Sequence, residues 1–143
     1  MSPEVQQILS ELYRQWCGEF PSGLQPLPGS GSARSYLRAQ GSAGSVMLAH
    51  NPSAEENEAF LYLSRHFLEQ DLPVPRILHI AEDRLSYIVE DLGDTTLFSI
   101  LERSRGAAQF EQIIRPHYRR VIEDLIAFQT RGARGIDFSR CYP

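Results

Sequence analysis

The chain has 143 residues, 42% of them hydrophobic and 22% charged, a composition that suits one globular domain and excludes a disordered tail. No apolar run approaches the ~18 residues of a membrane span, and Met1-Ser-Pro-Glu4 lacks the basic start of a secretory leader, so a cytoplasmic protein with no membrane partner is expected. The net charge is −4, and no basic stripe carries interleaved aromatics, which argues against nucleic acid as a partner.

All 14 basic residues are arginine. Codon bias is enough to explain this, but it has a chemical consequence. Any phosphate contact or ion pair that elsewhere uses lysine must use arginine here, or be absent. The two cysteines, Cys17 and Cys141, are far apart and fit free thiols in a reducing compartment.

Taken in order, the chain opens with an amphipathic helix. Ser2 can cap it, Pro3 suits its first turn, and Val5, Ile8, Leu9, Leu12, Tyr13 and Trp16 share a face up to Gly18. Short strands follow at Leu24–Leu27, Ser35–Ala39 and Ser45–His50. Ser53 and Glu56 form a capping-box pattern for a helix to about Glu69 that should bury Phe60, Leu61, Leu63, Phe67 and Leu68. Leu72-Pro-Val-Pro75 must be extended, and two more strands run over Ile77–Ile80 and Leu85–Glu90. Short connections favour antiparallel pairing. Beyond Glu90 the pattern is helical: a short helix capped by Asp94 or Thr96, then a longer one from about Ala107 to Thr130. Pro116 should kink or restart that helix.

Gly29-Ser-Gly31 lies between the first two strands. A dinucleotide fingerprint fails because the third glycine is replaced by Arg34 and a strand follows instead of a helix. A Walker-type loop fails for want of lysine. What remains is a hairpin whose backbone lies over phosphates, or a plain surface turn. The neighbouring elements favour the phosphate flap. Three strands, a helix, two strands and an extended exit are the parts of a kinase small lobe, in that order.

At Asn57-Glu-Ala-Phe-Leu-Tyr-Leu63, Leu72-Pro-Val-Pro-Arg-Ile-Leu78 and Tyr87-Ile-Val-Glu-Asp-Leu-Gly-Asp-Thr-Thr-Leu97, the sequence resembles the aminoglycoside phosphotransferase/choline kinase-like family. Within it, the bacterial kinases of the anomeric position of N-acetylmuramate and N-acetylglucosamine look nearest, sharing an S-x-R-x-Y-x-R strand and an E-D-L-G-D hinge. The resemblance spans about Leu24 to Leu101. It implies an α+β fold with a kinase-like small lobe over 23–93, built from a five-stranded antiparallel sheet and one packed helix. The N-terminal helix (1–22) would precede this lobe, and the first helices of a large lobe (94–143) would follow.

The resemblance also implies roles for individual residues. Gly29, Ser30, Gly31 and Ser32 would form the phosphate flap, with Arg34 and Arg38 contacting phosphates or bracing the loop. Glu58 would match the helix glutamate that pairs with a strand lysine, Arg34 or Arg38 standing in for the lysine. The Glu90 carbonyl and Leu92 N–H would hold adenine, under Leu27 and Met47. ATP and Mg²⁺ are the cofactors of an intact member, with a small-molecule acceptor.

None of the histidines (His50, His66, His79, His117) begins an H-x-D-x-x-x-x-N catalytic loop, and the Mg²⁺-binding aspartate is missing too. The expectation is therefore the ATP-binding portion of a sugar-type phosphotransferase, without catalysis by this chain alone. A non-catalytic nucleotide- or partner-binding module is the alternative. The apolar side of the 107–130 helix, if exposed, implies self-association.

Overall fold

Ser2 opens the first helix as its side chain requires, accepting the Val5 N–H at 3.3 Å. Pro3 occupies the first turn, and Gly18, in the left-handed region at φ 87°, closes the helix by donating to the Arg14 carbonyl. The computed structural model describes residues 1–28 and 33–141, and this helix is α1 (Pro3–Cys17). After it come β1 (Gly23–Pro26), β2 (Ser35–Gly41), β3 (Gly44–His50), α2 (Ala54–Glu69), β4 (Ile77–Ile80) and β5 (Ser86–Glu90). The chain ends in α3 (Leu97–Ser104), α4 (Phe110–Thr130) and a single 3₁₀ turn at Phe138–Arg140.

The five strands form one antiparallel sheet in the order β1-β2-β3-β5-β4. Alternation along each strand sorts side chains onto two faces. Leu37, Ala39, Val46, Leu48 and Ile88 meet Leu9, Leu12 and Tyr13 of α1. On the opposite face Ala49, Tyr87 and Val89 meet Leu61 of α2. The sheet is thus covered by a helix on each side. The expectation of one packed helix is corrected here, because the α1 stripe is the only cover for the Leu37–Leu48–Ile88 face among the described residues.

The α2 helix begins at Ser53, whose hydroxyl accepts the Glu56 N–H at 3.2 Å. The reciprocal half of the capping box does not form, since the Ser53 N–H donates to Asn51 Oδ1 at 3.1 Å and leaves the Glu56 carboxylate unengaged at the cap. The buried stripe is Asn57, Ala59, Leu61, Ser64 and His66, whereas Phe60, Leu63 and Phe67 are half-buried and Leu68 is exposed. Polar residues sit inside this stripe because each has a specific partner. Asn57 Nδ2 donates to the carbonyls of Arg84 (3.0 Å) and Leu85 (2.9 Å), clamping the β4–β5 turn. His66 Nε2 donates to the Gly132 carbonyl at 2.8 Å and ties the end of α4 to α2. Phe67 meets Phe128 edge-on at 5.1 Å in the same region.

Thr96 caps α3 in a capping box with Ser99. No fresh start occurs at Pro116, and α4 runs through it as one helix. The carbonyl that loses its donor belongs to Gln112, an exposed residue. No helix among the described residues is long and apolar enough to cross a membrane.

The fit of α1 on the sheet has a tight point at Gly41. A Cβ there would lie 3.0 Å from the ring carbon Cζ of fully buried Tyr13 and still nearer its hydroxyl. Gly41→Ala is expected to destabilise the fold by about 1–3 kcal/mol in urea unfolding, while Gly23→Ala, which meets only ordinary contacts, stays within about 1 kcal/mol.

Candidate functional site

The α2 face of the sheet carries the residues that the sequence singles out. Cross-strand partners share a face, so the register Gln25↔Arg38↔Met47↔Val89↔Ile77 lays one row of side chains across all five strands. The neighbouring row, Tyr36–Ala49–Tyr87, lies under α2, where Phe60 stacks on Tyr87 at 5.0 Å. Leu27 continues the ladder by donating its N–H to the Tyr36 carbonyl at 3.1 Å. Leu27 and Met47 therefore lie on the same face.

Arg38 is nearly buried, and three oxygens engage it. Its Nε and Nη2 bind the two Asp91 carboxylate oxygens at 2.7 and 3.1 Å, and its Nη1 meets Asp94 Oδ1 at 2.8 Å. Ser45 on β3 donates to the same Asp91 carboxylate, which also accepts the Gly93 N–H at 2.9 Å. Gly93 is left-handed at φ 79°, so the chain turns there. Burial by itself would raise the Asp91 carboxyl, but the Arg38, Ser45 and Gly93 bonds outweigh it and hold the group below the usual carboxylate range. In this structure Arg38 braces the segment after β5, and its guanidinium is committed to carboxylates. Among the described residues, what it braces is the segment that leaves β5.

Arg34 points to the other end of the same face. Its Nη2 binds Glu56 Oε1 at 3.0 Å, and its guanidinium lies 5.0 Å from the centre of the Phe60 ring. A strand-side cation does meet a helix glutamate, but that glutamate is Glu56. Glu58 turns away and forms a bidentate pair with Arg84, with Nη2–Oε2 at 2.9 Å, and this pair keeps its carboxyl low. The reason is helical geometry. Glu56 and Phe60 are four residues apart and share the face toward β2, whereas Glu58, two residues on, lies about 200° around the helix.

At the hinge, the Glu90 side chain folds back onto Arg76, accepting from its N–H at 2.9 Å and its Nε at 2.6 Å. The Arg76 bonds hold this carboxyl low as well. Leu92 is exposed, and its N–H has no partner among the described residues. The expected flap residues Gly29, Ser30, Gly31 and Ser32 lie outside the described residues.

The expected residues thus fall into three groups. Arg38, Met47, Leu27 and the Glu90–Leu92 segment share one end of the sheet face. Arg34 stands at the α2 end, and Glu58 belongs to neither. Sequence reasoning missed Glu56 as the arginine partner, because it was spoken for by the cap, and missed Ser45 altogether. The alternation of Arg34, Tyr36 and Arg38 was the available signal, since it puts both arginines on one face. A cavity of about 230 Å³ lined by Glu58, Tyr62, Arg65, His66, Arg84 and Arg140 lies beyond α2, away from Met47 and Leu92. No protein-family model matches the chain, and no curated protein matches it.

Asp91 has a lowered pKa when folded, so its stabilisation is complete above the unfolded value of about 4 and disappears as pH falls through the folded value. Asp91→Asn is expected to cost about 2–3 kcal/mol at pH 7, since Arg38 keeps its burial and loses its main partner. The wild-type advantage over the variant should shrink below pH 4, as read from urea midpoints across pH. An advantage unchanged down to pH 2 would show that the pair contributes no ionic stabilisation.

Proposed function

We propose that this chain is the ATP-binding portion of a small-molecule, sugar-type phosphotransferase. Adenine is held against the Leu27–Met47 face by the Leu92 N–H and the Glu90 carbonyl. The observation that carries the reading is the Leu92 N–H, a backbone donor without a partner among the described residues, on an exposed residue of a segment that Arg38 and Asp91 pin to the sheet. A purine needs a donor and an acceptor fixed on one edge and apolar contact on its faces. A pinned hinge beside Met47 supplies these with little ordering cost on binding.

Further support comes from the order of parts: an antiparallel five-stranded sheet, a helix inserted between β3 and β4, and an extended exit from β5 into helices. In this reading the triphosphate faces Arg34, the one flap-strand arginine whose Nε has no partner among the described residues. Arg38 is assigned to the hinge in this reading, because each of its three nitrogens already meets a carboxylate oxygen. No group of three or more metal-binding side chains comes together among the described residues, so the reading assigns Mg²⁺ no ligand in this lobe and routes no step through it. The acceptor and the catalytic base belong to parts of a phosphotransferase that this face does not provide.

The test is isothermal titration of the chain with a non-hydrolysable ATP analogue, and with adenosine alone. Binding of the analogue is expected with a Kd on the order of 0.1–1 mM. Gly29→Val should weaken it, and Arg34→Ala should weaken the triphosphate by about tenfold while sparing adenosine. No binding of either ligand at several times that concentration, by a chain that circular dichroism shows to be folded, would reject the reading.

A further inference from the structure

The cavity beyond α2, which the nucleotide-binding reading leaves unused, is lined by arginines from three separate parts of the chain. Arg65 comes from α2, Arg84 from the β4–β5 turn, and Arg140 from the 3₁₀ turn that follows α4. The backbone under them is anchored. Asn57 Nδ2 holds the Arg84 carbonyl at 3.0 Å, and Arg84 itself is left-handed at φ 58°, a conformation that costs energy in a residue with a Cβ. The Tyr62 hydroxyl accepts the Asp137 N–H at 2.6 Å and so ties the 3₁₀ turn to α2. The Arg140 guanidinium lies 4.0 Å from the centre of the same Tyr62 ring.

The carboxylates around this cavity leave part of its positive charge unmatched. Glu58 is taken by Arg84 in their bidentate pair, which chiefly holds the Glu58 carboxyl low, with a smaller pull from Arg140. Glu69 stands four residues after Arg65, at the spacing of a helical ion pair, yet the two make none among the described residues. Arg65 and Arg140 are therefore without a carboxylate partner among the described residues, in a cavity of about 230 Å³ that opens to solvent. Three arginines against two glutamates give this place a positive excess, in a chain whose net charge is −4. The excess selects an anion. A carboxylate presents a guanidinium with one edge of two oxygens, whereas a phosphate group has three terminal oxygens and takes donors from several directions at once. Arginines brought to one cavity from three elements suit the second shape better.

We propose that this cavity binds a phosphate group, as the free ion or as a small monoester, gripped by Arg65 and Arg140 while Arg84 adds its charge from the β4–β5 turn. Glu69 opposes the ligand, being the lining carboxylate that no arginine neutralises among the described residues. The site lies away from Met47 and Leu92 and does not depend on the nucleotide-binding reading.

Isothermal titration at pH 8 and fixed ionic strength tests this, with inorganic phosphate, glucose 6-phosphate and succinate as probes. At least one of the two phosphates should bind with a Kd on the order of 0.1–1 mM, and succinate at least ~10-fold more weakly. Tighter binding of glucose 6-phosphate makes the ligand an ester, and equal or tighter binding of inorganic phosphate makes it the free ion. Arg65→Gln and Arg140→Gln, both at exposed positions, should each weaken phosphate about tenfold with circular dichroism unchanged. Glu69→Gln should strengthen it, and Arg119→Gln, at an exposed arginine outside the cavity, should leave it as it is. Absence of phosphate binding at several times that concentration by the folded chain overturns the proposal, as does a preference for succinate. An equal loss in Arg119→Gln overturns it too, since the attraction is then one of general charge. A loss in Arg34→Ala with none in Arg65→Gln or Arg140→Gln puts the phosphate on the nucleotide face and likewise overturns it.

Discussion

Arg38 stands where β2, β3 and the segment after β5 meet, and its guanidinium holds the three together through Asp91. A charge nearly buried against the sheet would be costly without a partner, and Asp91 meets it with two parallel bonds while Asp94 and Ser45 complete the cluster. This fixes the path of the chain as it leaves the sheet. Asp91 cannot move without exposing Arg38, Gly93 turns against the Asp91 side chain, and Leu92 is left between two anchored neighbours, an exposed residue whose N–H has no partner among the described residues. The placement of Leu92 thus follows from the ion pair.

The second arginine of β2 acts at the opposite end. Arg34 reaches Glu56 and lies on Phe60, which in turn stacks on Tyr87, so α2 is fastened to the sheet face by a cation–aromatic ladder as well as by Leu61. Both arginines lie on the α2 face because they are four residues apart in an extended strand. One strand therefore sets the position of the helix and of the hinge, and the row through Met47 spans the distance between them. In a chain without lysine, this work falls to a planar guanidinium. It grips a carboxylate with two donors at once, whereas an ammonium would bind it as a point charge.

Much of this architecture was legible in the sequence. Every strand and every helix lay within a few residues of its place because turn glycines, prolines and the Ser2, Ser53 and Thr96 caps punctuate the chain strongly. The double cover of the sheet was less visible. The α1 stripe looks the same whether it packs on its own sheet or on another domain, and only long-range contacts decide that. Burial along α2 was misjudged where polarity was taken as exposure. Asn57 and His66 are inside because the carbonyls of Arg84, Leu85 and Gly132 are there to receive them, and no local pattern announces a partner 27 or 66 residues away. At the candidate site, Arg34, Arg38 and the Glu90–Asp94 run could be picked out by residue type. Which carboxylate each arginine takes could not, because Glu56 and Glu58 differ only by their angle around a helix whose rotation is set by packing.

On the proposed function, the pinned hinge offers its Leu92 N–H to an adenine base. Amide chemical-shift mapping tests it most directly, with ¹⁵N-labelled chain titrated with adenosine nucleotides. The Leu92 amide is expected to move furthest downfield among the hinge residues, Met47 and Leu27 to respond with it, and Asp91→Asn to weaken the response in a chain that remains folded. Saturable shifts confined to another surface, with Leu92 and Met47 unmoved, would contradict it.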